Sequence, residues 1–231
     1  MSNSPIAAMF DRISPKYDSL NHLLSLNIDK AWRRKTAKAV AKSHPETILD
    51  LATGTADLAI ALAQHNPQAH IVGTDISEKM LEIGKEKVKK QGFENQIELR
   101  LGDAASLTFE NDNFDTVTVA FGVRNFEDRE LGLAEIQRVL KPNGQAYILE
   151  FSMPEKFPVK QLYRLYFKHI LPTIGRIVSK DTNAYSYLPE SVERFPKPTE
   201  FLNLLASRGL IEGTMRPFCF GIATLYSAKK G

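Results

Sequence analysis

The sequence predicts an α/β protein built on a doubly wound, mostly parallel sheet. Three observations carry this reading. From Thr47 onward, short β-rich runs alternate with helical segments. The runs are apolar almost without interruption, as strands covered on both faces must be. Each of them ends in turn chemistry. Five runs qualify: TILDLA at 47–52, HIVGTDI at 70–76, IELRLGD at 97–103, FDTVTVAF at 114–121 and QAYILEF at 145–151. Two further β-like runs flank Gly221 between Ile211 and Lys229 and predict a closing antiparallel hairpin, giving seven strands.

The connecting elements follow from spacing and capping. Residues 1–45 read as polar helices, with Trp32 and several alanines as a weak apolar stripe among basic residues, and are expected to form a cap and not a core. Ser77 can cap a helix that carries Met80, Ile83 and Val88 and ends at Gly92; Leu133, Ile136 and Leu140 mark another that ends before Pro142. Residues 153–197 break the alternation with prolines and an aromatic, basic stretch, and a helix near Thr199–Arg208 resumes it. One domain over 1–231 is expected: a helical cap (1–45), a core (46–152), an inserted helical lid (153–197) and a closing helix with hairpin (198–231).

Composition narrows the function. Of 231 residues, 43% are apolar and 25% charged, which excludes a disordered chain, a collagen-like repeat and a coiled coil. The formal charge, 30 − 27 = +3, is too small to imply a nucleic-acid partner. Cys219 alone cannot close an intrachain disulfide, and no secretion signal or run of about 18 apolar residues is present. A cytoplasmic protein is expected, with any membrane contact peripheral. Five scattered histidines and one cysteine make no ligand spacing, so no metal is expected.

The first strand runs into LDLATGTADLAIALA (49–63), a strand, tight turn and helix start of the kind that binds nucleotide-like ligands. Where a dinucleotide fingerprint wants three glycines, Ala52, Gly54 and Asp57 stand, and Asp57 places a carboxylate where a pyrophosphate should sit. A cationic nucleoside without phosphate suits the loop better, and S-adenosylmethionine is such a ligand. Asp75, 21 positions after Gly54, can accept from ribose hydroxyls, and Gly102-Asp103-Ala104 lies where an adenine edge would be read. Each residue alone is at home in turn and capping chemistry. Suitable groups at three successive strand ends point to a ligand.

Longer segments sharpen this. YDSLNHLLSLNIDKAW (17–32), AFGVRN (120–125), RVLKPNGQAYILEFS (138–152) and YSYLPES (185–191) resemble signatures of the class I S-adenosylmethionine-dependent methyltransferases, and within them the ubiquinone/menaquinone biosynthesis C-methyltransferase family. The resemblance spans nearly the whole chain, with departures at Leu20, Asp29 and Asn143. It implies a Rossmann-like fold and places Thr55, Asp75, Asp103 and Ala104 on cofactor-binding positions. Asp50, Gly54, Asp57 and Ile76 complete the expected set with Ala120, which stands where some relatives carry a cofactor-contacting serine. Ala56 replaces a common glycine of the loop.

The resemblance also implies methylation of a hydroquinone ring carbon, with demethylmenaquinol as leading substrate; a ubiquinone precursor or another small aromatic or lipid is the alternative. The loop Phe121-Gly122-Val123-Arg124-Asn125 lacks the Asn/Asp-Pro-Pro-aromatic pattern that accompanies nucleic-acid amine methylation, and Cys219 is expected to be a structural thiol. An oxidised quinone ring is electron-poor, so the reduced form is the expected nucleophile, assisted by a cation because a phenol near pKa ~10 is mostly protonated at neutral pH. Arg124 is the electrostatic candidate and Asn125 could orient the ring hydroxyl. Tyr17, His22 and Tyr185 come from segments able to close over the site; the alternative for His22 is a solvated helix residue. In the insertion, Leu162, Leu165, Tyr166, Ile170 and Ile174 alternate with Lys160, Arg164, Lys168 and Arg176, around His169. That spacing suits a basic-rimmed lid that admits a prenyl tail from a bilayer, and equally a helix packed on the sheet or against a second copy in a homodimer.

Overall fold

A computed structural model of the protein describes residues 4–166 and 182–231. Helices α1 (Pro5–Leu24) and α2 (Ile28–Val40) precede β1 (Thr47–Leu51), α3 (Asp57–His65), β2 (His70–Asp75), α4 (Glu78–Lys90), β3 (Ile97–Leu101) and β4 (Phe114–Ala120). Then come a 3-10 turn (Val123–Asn125), α5 (Arg129–Val139) and β5 (Leu140–Phe151). The inserted stretch contributes α6 (Val159–Leu165) and α7 (Thr182–Arg194), and α8 (Pro198–Ser207), β6 (Leu210–Phe218) and β7 (Ala223–Lys230) close the chain.

The seven strands are ordered β3-β2-β1-β4-β5-β7-β6. The pairs among β1 to β5 are parallel, while β7 runs antiparallel to both β5 and β6, as the expected hairpin requires. The chain winds outward from β1 to β3 and then returns to the other side of β1. Strand order therefore reverses between β1 and β4, and a ligand crevice opens beyond their carboxyl ends.

Period-two alternation divides the apolar residues between the two faces. Along β1, Ile48 enters one core with Trp32, Leu62, Leu81 and Leu149, whereas Leu49 and Leu51 enter the other with Val117, Ile136, Phe201 and Tyr226. The α4 start is capped as expected, the Ser77 hydroxyl accepting from the Met80 amide at 3.2 Å. Strand β5 starts at Leu140, earlier than expected, because Leu140 already pairs with Phe114 across a register irregularity. Strand β3 stops at Leu101, and Asp103 instead bridges to Ser106 in the following turn.

The N-terminal helices correct one expectation. Trp32, Ala37 and Val40 of α2 are buried members of the first core and not an external cap. The Trp32 ring lies 6.1 Å from Phe121 and 6.2 Å, edge-on, from Phe151. The basic residues of α2 dilute this stripe in sequence, and the buried side also takes in Thr36 and the Asp29–Arg33 ion pair. Cys219, expected to be structural, is exposed in the β6–β7 turn. His169, Ile170, Ile174, Lys168 and Arg176 lie outside the described residues.

If α2 is part of the core, Trp32→Ala should cost about 3 to 5 kcal/mol, the range for truncating a buried aromatic. Urea denaturation followed by circular dichroism measures this. A loss under about 1 kcal/mol, typical of surface sites, would return α2 to the status of an appendage.

Candidate active site

A cleft opens at the β1/β4 switch point. Three successive strand ends form its floor. Ala52 and Gly54 come from the loop after β1, Asp75 and Ile76 from the end of β2, and Gly102, Asp103 and Ala104 from the turn after β3. Ala120, Phe121, Gly122 and Asn125 supply the wall beyond β4, while Ile6, Phe10 and Tyr17 of α1 lie across the top. Gly54 adopts φ +56 with no atom within 4 Å of a hypothetical Cβ, so its backbone presents open space to the cleft. At Gly122 a Cβ would fall 2.6 Å from that of Ala52, which is why the β1 and β4 loops can approach so closely. Ala56 takes φ 66 where a glycine is common, so the turn keeps its left-handed geometry at a cost of about 1 to 2 kcal/mol.

Of the residues singled out in sequence, Gly54, Asp75, Ile76, Asp103, Ala104, Ala120, Tyr17 and Asn125 meet in this one cleft. Among the described residues, Asp50, Thr55, Asp57, Arg124 and His22 do not line it. Asp50 is buried beneath the loop and accepts from the hydroxyls of Thr53 and Thr118, both at 2.6 Å. Thr55 donates to Asp18 of α1 at 2.6 Å and receives Lys87 at 3.1 Å. Asp57 turns to Lys87, which also binds Asp18 at 2.8 Å. Asp57 therefore does not place an unpaired carboxylate where a pyrophosphate would sit, since it pairs with the Lys87 ammonium; the carboxylates that line the cleft are Asp75, Asp103 and Glu127.

The catalytic candidates are corrected in the same way. Arg124 lies off the cleft wall, its guanidinium 2.7 Å from the fully buried Glu150 and 5.3 Å from the centre of the Phe151 ring. Its charge is already compensated by a carboxylate, so it offers a phenolate less than a free cation would. His22 is neither free nor solvated: Nδ1 lies 2.9 Å from Asp29 and Nε2 lies 3.8 Å from Asp57. The fold brings His22, Asp29 and Asp57 within 4.8 Å of one another, and Arg33 and Lys87 already pair with the two carboxylates. Tyr185 falls in α7, and its side chain is outside the described residues.

Other site residues were missed. Phe10 and Tyr17 stand seven positions apart on one side of α1, with ring centroids 5.9 Å apart; that two-turn spacing was the available signal. Glu127 lines the cleft and accepts from Ser4 at 2.5 Å, and the Tyr187 phenol donates to Asn125 at 3.0 Å. Neither contact leaves a sequence pattern.

Burial controls the electrostatics. Desolvation pushes Asp75 up to about 6, although the amides of Ser77 and Gly54, at 2.9 and 2.8 Å, favour its charged form. Asp50 is likewise pushed up to about 6 by burial, against the two threonine hydroxyls. Burial also raises the Tyr17 phenol, with Arg124 and Arg33 pulling the other way.

With this geometry in place, the chain can be set beside known proteins. Residues 1–230 match the model of the ubiE/COQ5 methyltransferase family. Over 225 residues the chain is 46% identical to a demethylmenaquinone methyltransferase of Bacteroides fragilis, covering 97% of this chain and 92% of that protein. It is 44% identical over 227 residues to the ubiquinone/menaquinone biosynthesis C-methyltransferase UbiE of Geobacter sulfurreducens, covering 98% and 88%. Among solved structures, a SAM-dependent methyltransferase from Aquifex aeolicus shares the fold with a TM-score of 0.61 at 18% identity, covering 84% of this chain and 89% of that one. The chain belongs to the ubiE/COQ5 methyltransferase family and is an S-adenosylmethionine-dependent C-methyltransferase.

The buried carboxylates supply a test by pH. In the native state Asp50 holds its proton to about pH 6, whereas an unfolded aspartate ionises near 3.9. Native protein thus binds more protons between those values, and the stability Asp50 contributes, complete below about 3.9, is lost as pH rises through about 6. Asp50→Asn lacks this titration. Its stability relative to wild type should therefore improve by on the order of 2 kcal/mol between pH 4 and pH 7, read from urea midpoints. A difference independent of pH would remove the buried, protonated Asp50.

Proposed function

We propose that this enzyme methylates a ring carbon of a prenylated hydroquinone, with demethylmenaquinol as the leading substrate and a ubiquinone precursor as the alternative. The observation that carries the reading is that one cleft holds both sets of groups the reaction needs. Gly54, Asp75, Ile76, Asp103 and Ala104 form a nucleoside-sized floor, and Tyr17, Phe121 and Asn125 form an aromatic and amide wall beside it. The names of the two curated relatives support the quinol as acceptor.

The methyl donor, when bound, supplies a methyl group activated by positively charged sulfur. Gly54 would let backbone come close to it, Asp75 would receive its ribose hydroxyls, and Asp103 with Ala104 would read the adenine edge. The protein's remaining task is to hold the acceptor ring in line and dry, since positioning alone is worth roughly 7 to 11 kcal/mol in favourable models. Tyr17 and Phe121 pack on the ring. Asn125 orients the hydroxyl whose proton must leave before the ring carbon becomes nucleophilic. Arg124 acts at longer range, its field reaching Tyr17 even though Glu150 balances its charge.

The prenyl tail implies a cytoplasmic enzyme working at a bilayer surface. No helix among the described residues is long and apolar enough to cross a membrane. Phe157 and Phe220 are 81% and 84% exposed, and Leu162 and Leu165 of α6 are exposed beside Lys156 and Arg164. The two parts of this surface adjoin, for Ser152 donates to the Gly221 carbonyl at 2.8 Å and so ties the hairpin tip to the start of the insertion. Apolar side chains ringed by cations suit an anionic lipid surface.

With radiolabelled donor, label should enter reduced demethylmenaquinone and not the oxidised form. Asp75→Ala should weaken donor binding at least about tenfold by calorimetry, the scale of a lost hydrogen bond to a charged group. No label in the quinol fraction rejects the substrate, and unchanged donor affinity rejects the floor assignment. Separately, Phe157→Glu with Phe220→Glu should abolish co-sedimentation with phosphatidylglycerol vesicles while leaving methylation of a short-tailed quinol intact. Vesicle binding that survives both changes would place the membrane contact elsewhere, and a loss of dimer in its place would assign this face to a second copy.

A further inference from the structure

The 3-10 turn Val123–Asn125 carries an amide whose two ends are separately held. Asn125 Nδ2 donates to the Phe121 carbonyl at 3.4 Å, and Asn125 Oδ1 accepts from the Tyr187 hydroxyl at 3.0 Å. A carbonyl can only accept, so the Phe121 contact requires nitrogen on that side and leaves oxygen on the other. The Tyr187 phenol must then be the donor. Tyr187 takes one of the two Oδ1 lone pairs, and Asn125, which lines the cleft, still has a second N–H to donate. Tyr187 belongs to α7, which follows the inserted stretch, while Asn125 follows β4, so this contact joins two segments 62 positions apart.

We propose that Tyr187 is a positioning residue: its hydroxyl holds the Asn125 amide against flipping, so that its second N–H is the donor offered to the cleft. A donor there favours a ring oxygen that has lost its proton; a carbonyl would hold the hydroxyl protonated. The inference deepens the quinol reading and rests on it. Burial raises the Tyr187 phenol, so it remains a donor throughout the neutral range. The tyrosine also explains why YSYLPES (185–191) and AFGVRN (120–125) belong together: the second aromatic of the first segment reaches the last residue of the second.

A double-mutant cycle tests the lock, with Tyr187→Phe retaining the ring and its packing. Tyr187→Phe should lower kcat for reduced demethylmenaquinone about tenfold, the scale of one lost hydrogen bond, with KM for the methyl donor unchanged. Asn125→Ala should lower kcat at least as far, and adding Tyr187→Phe to it should change nothing more. Independent, multiplying losses would overturn the proposal, as would an unaltered kcat in Tyr187→Phe. A second readout needs no turnover. The coloured anion of 4-nitro-1-naphthol, titrated by absorbance with each protein, should show an ionisation favoured about tenfold less by Tyr187→Phe than by wild type, and no such difference in the Asn125→Ala background. Failure of the probe to bind wild type as its anion, or equal ionisation with both proteins, would overturn the lock. If wild type does not methylate the quinol, the substrate reading falls while this titration still decides the role of Tyr187.

Discussion

One carboxylate fastens the parts of the site to each other. Asp75 accepts from the Gly54 amide with one oxygen and from the Ser77 amide with the other, so the loops after β1 and β2 are held by a single side chain. Ser77 passes the constraint on, its hydroxyl donating to Asp11 of α1 at 2.6 Å while it caps α4. Floor, neighbouring helix and roof of the cleft are thus linked through two residues. Burying a carboxylate is costly unless its lone pairs are filled. The backbone donors of Gly54, Ser77 and Ile76 fill only part of them, and Asp75 lines the cleft, where ligand hydroxyls can complete the set.

Around this point, charges are arranged in compensated groups. Lys87 serves Asp18 and Asp57 and touches Thr55; Arg33 pairs with Asp29, which also receives Ser25 at 2.6 Å; Glu150 balances Arg124. Lys87 connects α1 to the β1 loop, α3 and α4, whereas Asp29–Arg33 lies within α2 and Arg124–Glu150 joins the turn after β4 to β5. Breaking a buried pair such as the last two by removing one partner commonly costs about 3 to 5 kcal/mol. The same compensation reserves the cleft's own polar selectivity for Asp75, Asp103 and Asn125.

The alternation of strands and helices, the parallel order and the closing hairpin were all legible, because apolar periodicity and turn residues act locally. So were the residues at strand ends, since in this architecture topology alone carries Gly54, Asp75 and Asp103 to one edge. Side-chain pairing was not legible. Nothing local shows that Thr55 and Asp57 face Lys87, 32 and 30 positions on, or that Arg124 meets Glu150 across 26. Asp50 illustrates the difference: its place at the end of β1 was right, but alternation along the strand points it under the loop toward Thr118. The sequence points to Tyr185 and not to Tyr187, because nothing local shows which of two aromatics two positions apart, about 200° around a helix axis, is turned toward Asn125.

The roof helix α1 has a further consequence. Three of the polar anchors on it and on the residue before it are distant: Asp11 holds Ser77 across 66 positions, Asp18 holds Lys87 across 69, and Ser4 holds Glu127 across 123. During synthesis this helix emerges well before any of those partners exists. Its seat over the cleft therefore depends on the β2–α4 connection, on α4 and on the segment after β4 all being in place.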